Sequence, residues 1–452
     1  MVPKQVSQSV PSTIFGLVLC FISQVCISAD DSSSDWAQFR GPIGTGRSSA
    51  TNLPLVWGSF LEPCAWQASI PGRGWSSPIA IGNRIWVTTA ETIALRETEV
   101  VKTLAESPTG ISDSQAHGSV TLFAIELDLQ SGKILRKFEL FSADNPPPIH
   151  SSNSYASPTP ISDGVRLYCH FGSLGTVAVE LETGVILWKK VFAIDDLTGS
   201  GSSPVLCDDR LILTCDGADE QYVVAIDKRT GEEIWKVARP PIDAKENFLR
   251  RAFSTPLLIE YEGRKQLLAP AAQWLVSYNP ETGEEWWRCK TAVGYSVVPQ
   301  PVFHEGLVFA CSGYMKPELW AIRADGNGDV SQTHVAWKCT RQAPEIASPI
   351  VVDDAIYFVS TMGILSCLHA NDGNQRWQHR LDGSYASSLV SADNKIYVTN
   401  KTGLTTVFKP GSVYTEIAKN QLFGETMATI AIAGESLLLR TDPILYCIRK
   451  DK

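Results

Sequence analysis

The chain has eleven cysteines, yet no two are adjacent, none form Cys-x-x-Cys, and Cys-x-x-Cys-His does not occur. Those absences remove covalently attached haem, and the spacing is not that of a disulfide framework. There is no Lys/Arg-rich run, and the net charge is −9. The electrostatic footprint of a nucleic-acid or anionic-membrane partner is therefore missing. The seven histidines, at 117, 150, 170, 304, 334, 369 and 379, show no His-x-x-x-His spacing. No Gly-x-Ser-x-Gly elbow marks a serine hydrolase. Beyond the first thirty residues no apolar run is long enough to span a bilayer.

Those thirty residues read as an export signal. Lys4 is the only charge before Asp30, Ile14 to Ile27 is apolar apart from a few polar residues, and Ile27-Ser28-Ala29 offers a small residue for cleavage. The stretch is short for a transmembrane anchor. Cys20 and Cys26 lack the small residues that precede a lipid-modified cysteine. We expect a signal peptide over 1–29, a periplasmic or secreted protein, and no integral membrane span after cleavage. A lead segment over 30–62 comes next.

What is present is repetition. Ser77-Pro78, Thr159-Pro160, Ser203-Pro204, Thr255-Pro256, Gln300-Pro301 and Ser348-Pro349 align with one another and with Ser387-Ser388 and Ala428-Thr429. Each begins a short apolar strand. A turn of Gly, Asn or Asp comes after it (Gly82-Asn83, Asp163-Gly164, Asp208-Asp209, Asp353-Asp354), because these residues tolerate tight backbone angles. A second strand comes next, such as IWVTT, LILTC or IYFVS. Both strands are continuously apolar, which fits burial on both faces. A third strand carries one small residue at a fixed column: Ala124, Ala178, Ala225, Ser277, Ala321, Cys367, Thr406 and Cys447. A close approach by a neighbour is the expected reason. Thr183-Gly184, Thr230-Gly231, Thr282-Gly283 and Asp372-Gly373 then lead to Trp188, Trp235, Trp287 and Trp377 in a fourth strand.

A four-stranded sheet that is apolar on both faces must stack on copies of itself. The fold class expected is all-β: an eight-bladed β-propeller of four-stranded antiparallel blades over 63–452. A solenoid is the rival, but the eighth repeat ends without a Trp strand, while Ala65-Trp66-Gln67 matches Leu187-Trp188-Lys189 and has no repeat of its own. The N-terminal strand should complete the last blade and close the ring. Pro78 and Pro160 lie 82 residues apart, and the excess, about 91–118, reads as a polar loop or short helix inserted in blade 1.

The Asp/Glu-x-x-Thr-Gly-x-x-x-Trp ending resembles the pyrroloquinoline-quinone (PQQ) repeat. Trp36-Ala37-Gln38-Phe39-Arg40-Gly41-Pro42, PGRGWSSP at 71–78 and SYASPTPISDG at 154–164 resemble secreted bacterial PQQ-repeat-like propellers. In the quinoprotein alcohol dehydrogenases of that group a Trp and a disulfide between adjacent cysteines sandwich the quinone. Glu, Asn and Asp hold calcium, and a further Asp acts as base. Here the adjacent cysteines are missing, and no position can be matched to the calcium ligands. The resemblance to the propeller lipoprotein of outer-membrane protein assembly, which binds proteins without a cofactor, is closer in design. It implies a non-catalytic scaffold that binds protein segments or an extracellular ligand, with no cofactor. The alternative is an oxidoreductase for alcohols or sugars carrying PQQ and calcium.

Asp325-Gly326-Asn327-Gly328-Asp329 begins like a calcium loop, but Val330 stands at the required Gly and Ala336 at the bidentate Glu. A solvated turn is the better reading. The segments entering the first strands should gather at one opening of the propeller. They place Arg73, His150, Asn153, Tyr155, Arg250, Arg251, Tyr295 and Tyr385 there, a set of Arg and Tyr that suits recognition. Capping of strand ends is the structural alternative. If these residues serve binding, Ala at 250 and 251 should leave the melting temperature unchanged. Trp36, Arg40 and Gly41-Pro42 are expected to pack the lead segment across one face.

Overall fold

The computed structural model describes residues 1–3, 35–58, 64–106, 113–291 and 294–450. The expected signal peptide falls almost wholly outside them. The chain divides into Met1–Asp30 and Asp31–Lys452, and every strand belongs to the second unit.

Eight antiparallel four-stranded sheets succeed one another along the sequence. Blade 1 is built from Ile79–Ile81, Arg84–Ala94, His117–Asp128 and Ile134–Asp144. Blades 2 to 7 repeat the plan, and blade 8 has only Ala431–Ala433, Ser436–Arg440 and Ile444–Ile448 of its own. Its fourth strand is Trp66–Ser69, paired antiparallel with Ile444–Ile448. The ring closes as expected, by joining the two ends of the propeller. Second and third strands are buried throughout, whereas fourth strands alternate buried and exposed residues. First strands therefore lie inside and fourth strands outside.

The column of small residues has a cause more specific than close approach. Ala178, Ala225, Ser277, Ala321, Cys367 and Cys447 each pair directly with a tryptophan of the fourth strand: 188, 235, 287, 337, 377 and 66. In blade 1 the pair is Ala124 with Phe138. A larger side chain would compete with the indole for the same space. In blades 2 to 6 the register slips immediately after this pair. One extra residue precedes the Trp, a bulge that re-aims the ring towards the next blade.

There the ring meets a glycine. A Cβ on Gly231 would lie 2.8 Å from Trp188, and one on Gly283 2.7 Å from Trp235. Gly373 stands in the same relation to Trp337, and Gly132 to Trp66 across the closure. Gly231 and Gly283 also hold φ of 75° and 76°, so the turn itself asks for glycine. The indole N–H completes the dock. Trp188 donates to Lys228 O at 3.1 Å, Trp337 to Ala370 O at 2.9 Å and Trp66 to Leu129 O at 2.9 Å.

Three seams depart from the rule. Trp377 donates to Gly411 O at 3.0 Å, but a Cβ on that glycine would stand in open space. Trp287 donates to Gln266 Oε1 within its own blade at 2.8 Å, and its ring lies against Gly326. The long loop of blade 5 returns there, and Gly328–Asp329 pairs parallel with Trp287 and Arg288 as a fifth strand. The Asp325–Asp329 stretch is thus an edge cover, with Asp329 accepting from Ser331 N at 3.1 Å. Blade 7 has Lys419 opposite Thr406 in place of a Trp. The lead segment supplies the ring instead: Trp57 packs on Tyr397 with centroids 6.4 Å apart, its backbone N–H donating to Asn420 Oδ1 at 2.9 Å.

Inside, the Ser/Thr before each first strand links the blades. Ser77 N donates to Thr159 Oγ1, Thr159 N to Ser203 Oγ and Ser203 N to Thr255 Oγ1. Gln300 N donates to Ser348 Oγ, Ser348 N to Ser388 Oγ, Ser388 N to Thr429 Oγ1 and Thr429 N to Ser77 Oγ. Between Thr255 and Gln300, the Gln300 amide donates to Pro256 O instead, at 3.1 Å. This ring corrects the sequence alignment by one residue in the last two blades. Ser388 and Thr429 occupy the hydroxyl position, and Leu389 and Ile430 stand where other blades have proline.

Residues 36–48 run across the far side of the inner strands, and the chain then reaches the outer strand of blade 7 at Trp57. Trp36 bridges to Ala80 and Arg47 to Ser391, and Ser162 N donates to Ala37 O at 3.0 Å. The insertion in blade 1 holds a helix, Glu97–Glu106, above two lengthened strands.

Trp188→Ala should destabilise the protein by about 3–5 kcal/mol, and Gly231→Ala should also be strongly destabilising through left-handed strain plus the clash. The double variant should lose less than the sum of the two, because the clash vanishes with the indole. Denaturant midpoints of the four proteins measure this; additive losses would mean that the ring and the glycine do not interact.

Candidate functional site

The segments entering the first strands pair with the turns at the ends of the second strands. Arg73 bridges to Ala90, Tyr295 to Tyr314, Tyr385 to Asn400 and Glu425 to Asp442. All of these loops share one face, the one opposite the lead segment.

Seven of the eight residues expected at this opening form one line of neighbours over blades 1 to 5. The Arg73 guanidinium lies 5.2 Å over Trp75 and 3.6 Å from Asp442. Burial and then the Arg73 charge hold His117 below the ordinary histidine range, and the His117 ring meets Tyr155 edge-on at 5.7 Å. Tyr155 is buried and donates to Pro147 O at 2.8 Å. Asn153 joins two loops: Nδ2 donates to Thr198 O at 2.8 Å while Oδ1 accepts from Ser157 Oγ at 2.6 Å. His150 sits in a two-residue pairing, Ser114–Gln115 with Ile149–His150, that ties the blade 1 insertion down onto this face.

Arg251 is buried, not an exposed contact residue. Its Nη1 donates to Thr198 Oγ1 at 2.8 Å and its Nε to Phe248 O at 3.0 Å, and burial lowers its pKa. The expectation that Ala at 250 and 251 would leave the melting temperature nearly unchanged is therefore kept for Arg250 alone. That side chain is half-buried with one contact, to Ala244 O at 3.3 Å. Tyr295 continues the line, edge-on to Phe248 at 5.8 Å and to Tyr314 at 5.9 Å. Tyr385 does not belong to it. It is fully buried, with its hydroxyl on Asp382 O at 3.1 Å, because the loop folds it between blades 6 and 7.

Three features of this face escape sequence reasoning. Tyr314 and Met315 are 53% and 71% exposed beside Tyr295, two adjacent apolar side chains left open to solvent on this rim. Asp195, Asp196 and Asp219 approach one another below Arg251. Burial raises Asp196 to about 6 and the two neighbouring carboxylates add to the rise, although Ser173 N donates to its Oδ2 at 2.7 Å. The sequence signals this only by the adjacent Asp195-Asp196 pair. The hollow beside Asp196, lined by Tyr155, Phe171, Ser173 and Gly199, has a volume of about 10 Å³, room for a single water. Among the described residues no group of three or more His, Cys, Asp or Glu is placed to hold a metal ion.

Arg251→Ala should lower the melting temperature by several degrees and Arg250→Ala should not; equal effects would contradict the burial difference. Asp196 binds its proton more tightly folded than unfolded, where a pKa near 3.9 applies. Its contribution is therefore favourable below about pH 4 and is lost as pH rises to about 6. Asp196→Asn should remove that fall from a melting-temperature profile, and an unchanged profile would place the titration elsewhere.

A family model described as outer membrane protein assembly factor BamB matches residues 64–236 and 219–452. Among curated proteins, none matches the sequence. BamB from Moraxella catarrhalis is similar in structure, with a TM-score of 0.52 and 13% identity over 75% of this chain and 94% of that one. The quinohemoprotein alcohol dehydrogenase from Comamonas testosteroni gives a TM-score of 0.54 and 12% identity over 93% and 81%. Identities this low speak for the fold alone. No helix of the described residues is long and apolar enough to cross a membrane. With its repeats matched nearly end to end, the chain belongs to the PQQ-repeat propeller family described as outer membrane protein assembly factor BamB.

Proposed function

We propose that this protein is an exported, non-catalytic scaffold that binds extended segments of partner proteins on the loop face. The observation that carries the reading is the aromatic row Phe248, Tyr295 and Tyr314, ending in exposed Tyr314 and Met315. Tyrosine gives contact area at little ordering cost, methionine adapts its shape to a partner, and the Arg250 side chain nearby adds hydrogen-bond donors for carbonyls or carboxylates. The end of the insertion, pinned by Gln115 Nε2 to Asn153 O at 3.2 Å, borders the same face at blade 1. The family's description as an assembly factor agrees with a chain that holds other proteins.

The quinone alternative has no matching donor set. The nine cysteines of the described residues are all free, and seven are buried as the small residues of strands. Near the axis on this face, where a planar cofactor would need space, Arg440 is buried against Ser76, Nη1 to Oγ at 2.6 Å. We assign no cofactor and derive no step through one.

A photo-crosslinking residue at position 314, introduced into the exported protein in cells, should give discrete adducts, while one at Val185, exposed on the opposite face, should give none. Adducts at both positions alike, or only at Val185, would contradict the assignment. Titration with PQQ and calcium should give no saturable change in absorbance; saturable binding with dye reduction by alcohols or sugars would replace the scaffold reading with an oxidoreductase.

A further inference from the structure

The Trp36–Pro42 motif takes no part in the loop-face site. Its Arg40 is fully buried, with φ of 61°. Nη2 donates to Pro349 O at 2.6 Å and to Thr45 O at 3.0 Å, whereas Nε and Nη1 are buried and no protein group accepts from them. No carboxylate lies within ion-pairing distance of this guanidinium among the described residues. A buried cation without a counter-charge costs several kcal/mol, and buried N–H groups without acceptors add to that cost. The arrangement is anomalous unless something else shares the site.

Its position narrows the choice. Pro349 immediately follows Ser348, a member of the inner hydroxyl ring. On the other side of that ring, the residue before Ser77 is Ser76, and here a second buried arginine arrives. Arg440 Nη1 donates to Ser76 O at 3.1 Å, Ser76 Oγ at 2.6 Å and Thr88 O at 2.8 Å. Asp442 is the one carboxylate that acts on Arg440, from a distance. The ring hydroxyls of Ser77, Thr159, Ser203, Thr255, Ser348, Ser388 and Thr429 each accept one N–H. A hydroxyl that accepts still has its own hydrogen to give. Ser387 Oγ on one side of the ring and Thr45 Oγ1 on the other are buried without partners as well.

Two buried guanidinium groups, that of Arg40 without any counter-charge, and seven hydroxyl donors around one axis make a positive, donor-rich interior. From this geometry we propose that the centre of the propeller binds a small inorganic anion, of halide size, held by Arg40 and the hydroxyl ring. The lead segment, which crosses that end of the axis through Gly44 against Gln300 and Gly46 against Leu389, would seal it in. The anion then ties the lead segment to the blades, an ordering role independent of what the loop face binds. Burial pulls the Arg40 pKa down to about 9 with no opposing charge, in keeping with a site whose counter-ion is not supplied by the chain.

The test uses the purified full-length propeller. Crystals grown in sodium bromide should show an anomalous peak in contact with the Arg40 guanidinium; water or nothing at that point would overturn the proposal. In solution, the melting temperature should rise saturably when chloride replaces gluconate at constant ionic strength. Arg40→Gln should raise the half-saturating chloride concentration at least tenfold. A chloride response that is linear, or unchanged in Arg40→Gln, would also overturn it. Should Arg40→Gln fail to fold, the bromide experiment on the unaltered protein decides alone.

Discussion

An indole ring lying on a glycine of the next blade is the contact that the rest of this structure depends on. One blade, apolar on both faces, has no stable existence alone. The ring converts a stack of such sheets into a defined angular step, because it must fit between a small residue on its own third strand and a bare backbone on the next blade. Ala225, Trp235 and Gly283 are one such set, with ring and glycine separated by contact distances only. Each dock also satisfies the indole N–H, so a shifted blade would lose both packing and a hydrogen bond. Of the seams that lack the pattern, one is covered by a returning strand over Trp287 and another by Trp57 from the lead segment, while Trp377 keeps only its hydrogen bond to Gly411 O.

The regularity of the outer contacts leaves the loops free to differ. Where the blades are most alike, at the glycine turns, one blade repeats the pattern of another. On the opposite face each loop has its own length and content. There the insertion, the three carboxylates around Asp196 and the Phe248–Tyr295–Tyr314 row accumulate over one half of the ring. That division is why a family likeness in the blades says little about chemistry, and why the function must be argued from the loop face itself. Arg251 shows how the two meet: its donors are used in joining loops, and the residues around it, Tyr295 and Arg250, stay half-buried.

The blades and their closure were readable because they are written eight times over. The strand Trp66–Ser69 could be assigned to the last blade from a missing Trp at one end and a surplus one at the other. The small column was also visible, but its reason was not, since the pairing of Ala178 with Trp188 depends on a bulge that leaves no residue signature. Proline marked the blade starts until Leu389 and Ile430 replaced it, and the alignment slipped there by one residue. The loop face was legible as a set of segments and not as a surface. Tyr385 and Tyr295 look alike in sequence, and only the path of each loop decides that one is buried and the other lies beside exposed Tyr314. The acidic group at Asp196 and the parallel strand Gly328–Asp329 rest on contacts between different blades, which no local pattern announces.

If the ring is closed, no seam should open by itself. Native-state hydrogen exchange measures this most directly, at the amides of Ser77, Thr159, Ser203, Gln300, Ser348, Ser388 and Thr429, whose N–H groups cross the seams. The account predicts that they exchange with one common free energy, that of global unfolding, including Thr429 at the junction where the two ends of the propeller meet. A lower opening energy confined to Thr429 and Ser77 would mean that the closing strand is a loose appendage, and would contradict the central claim.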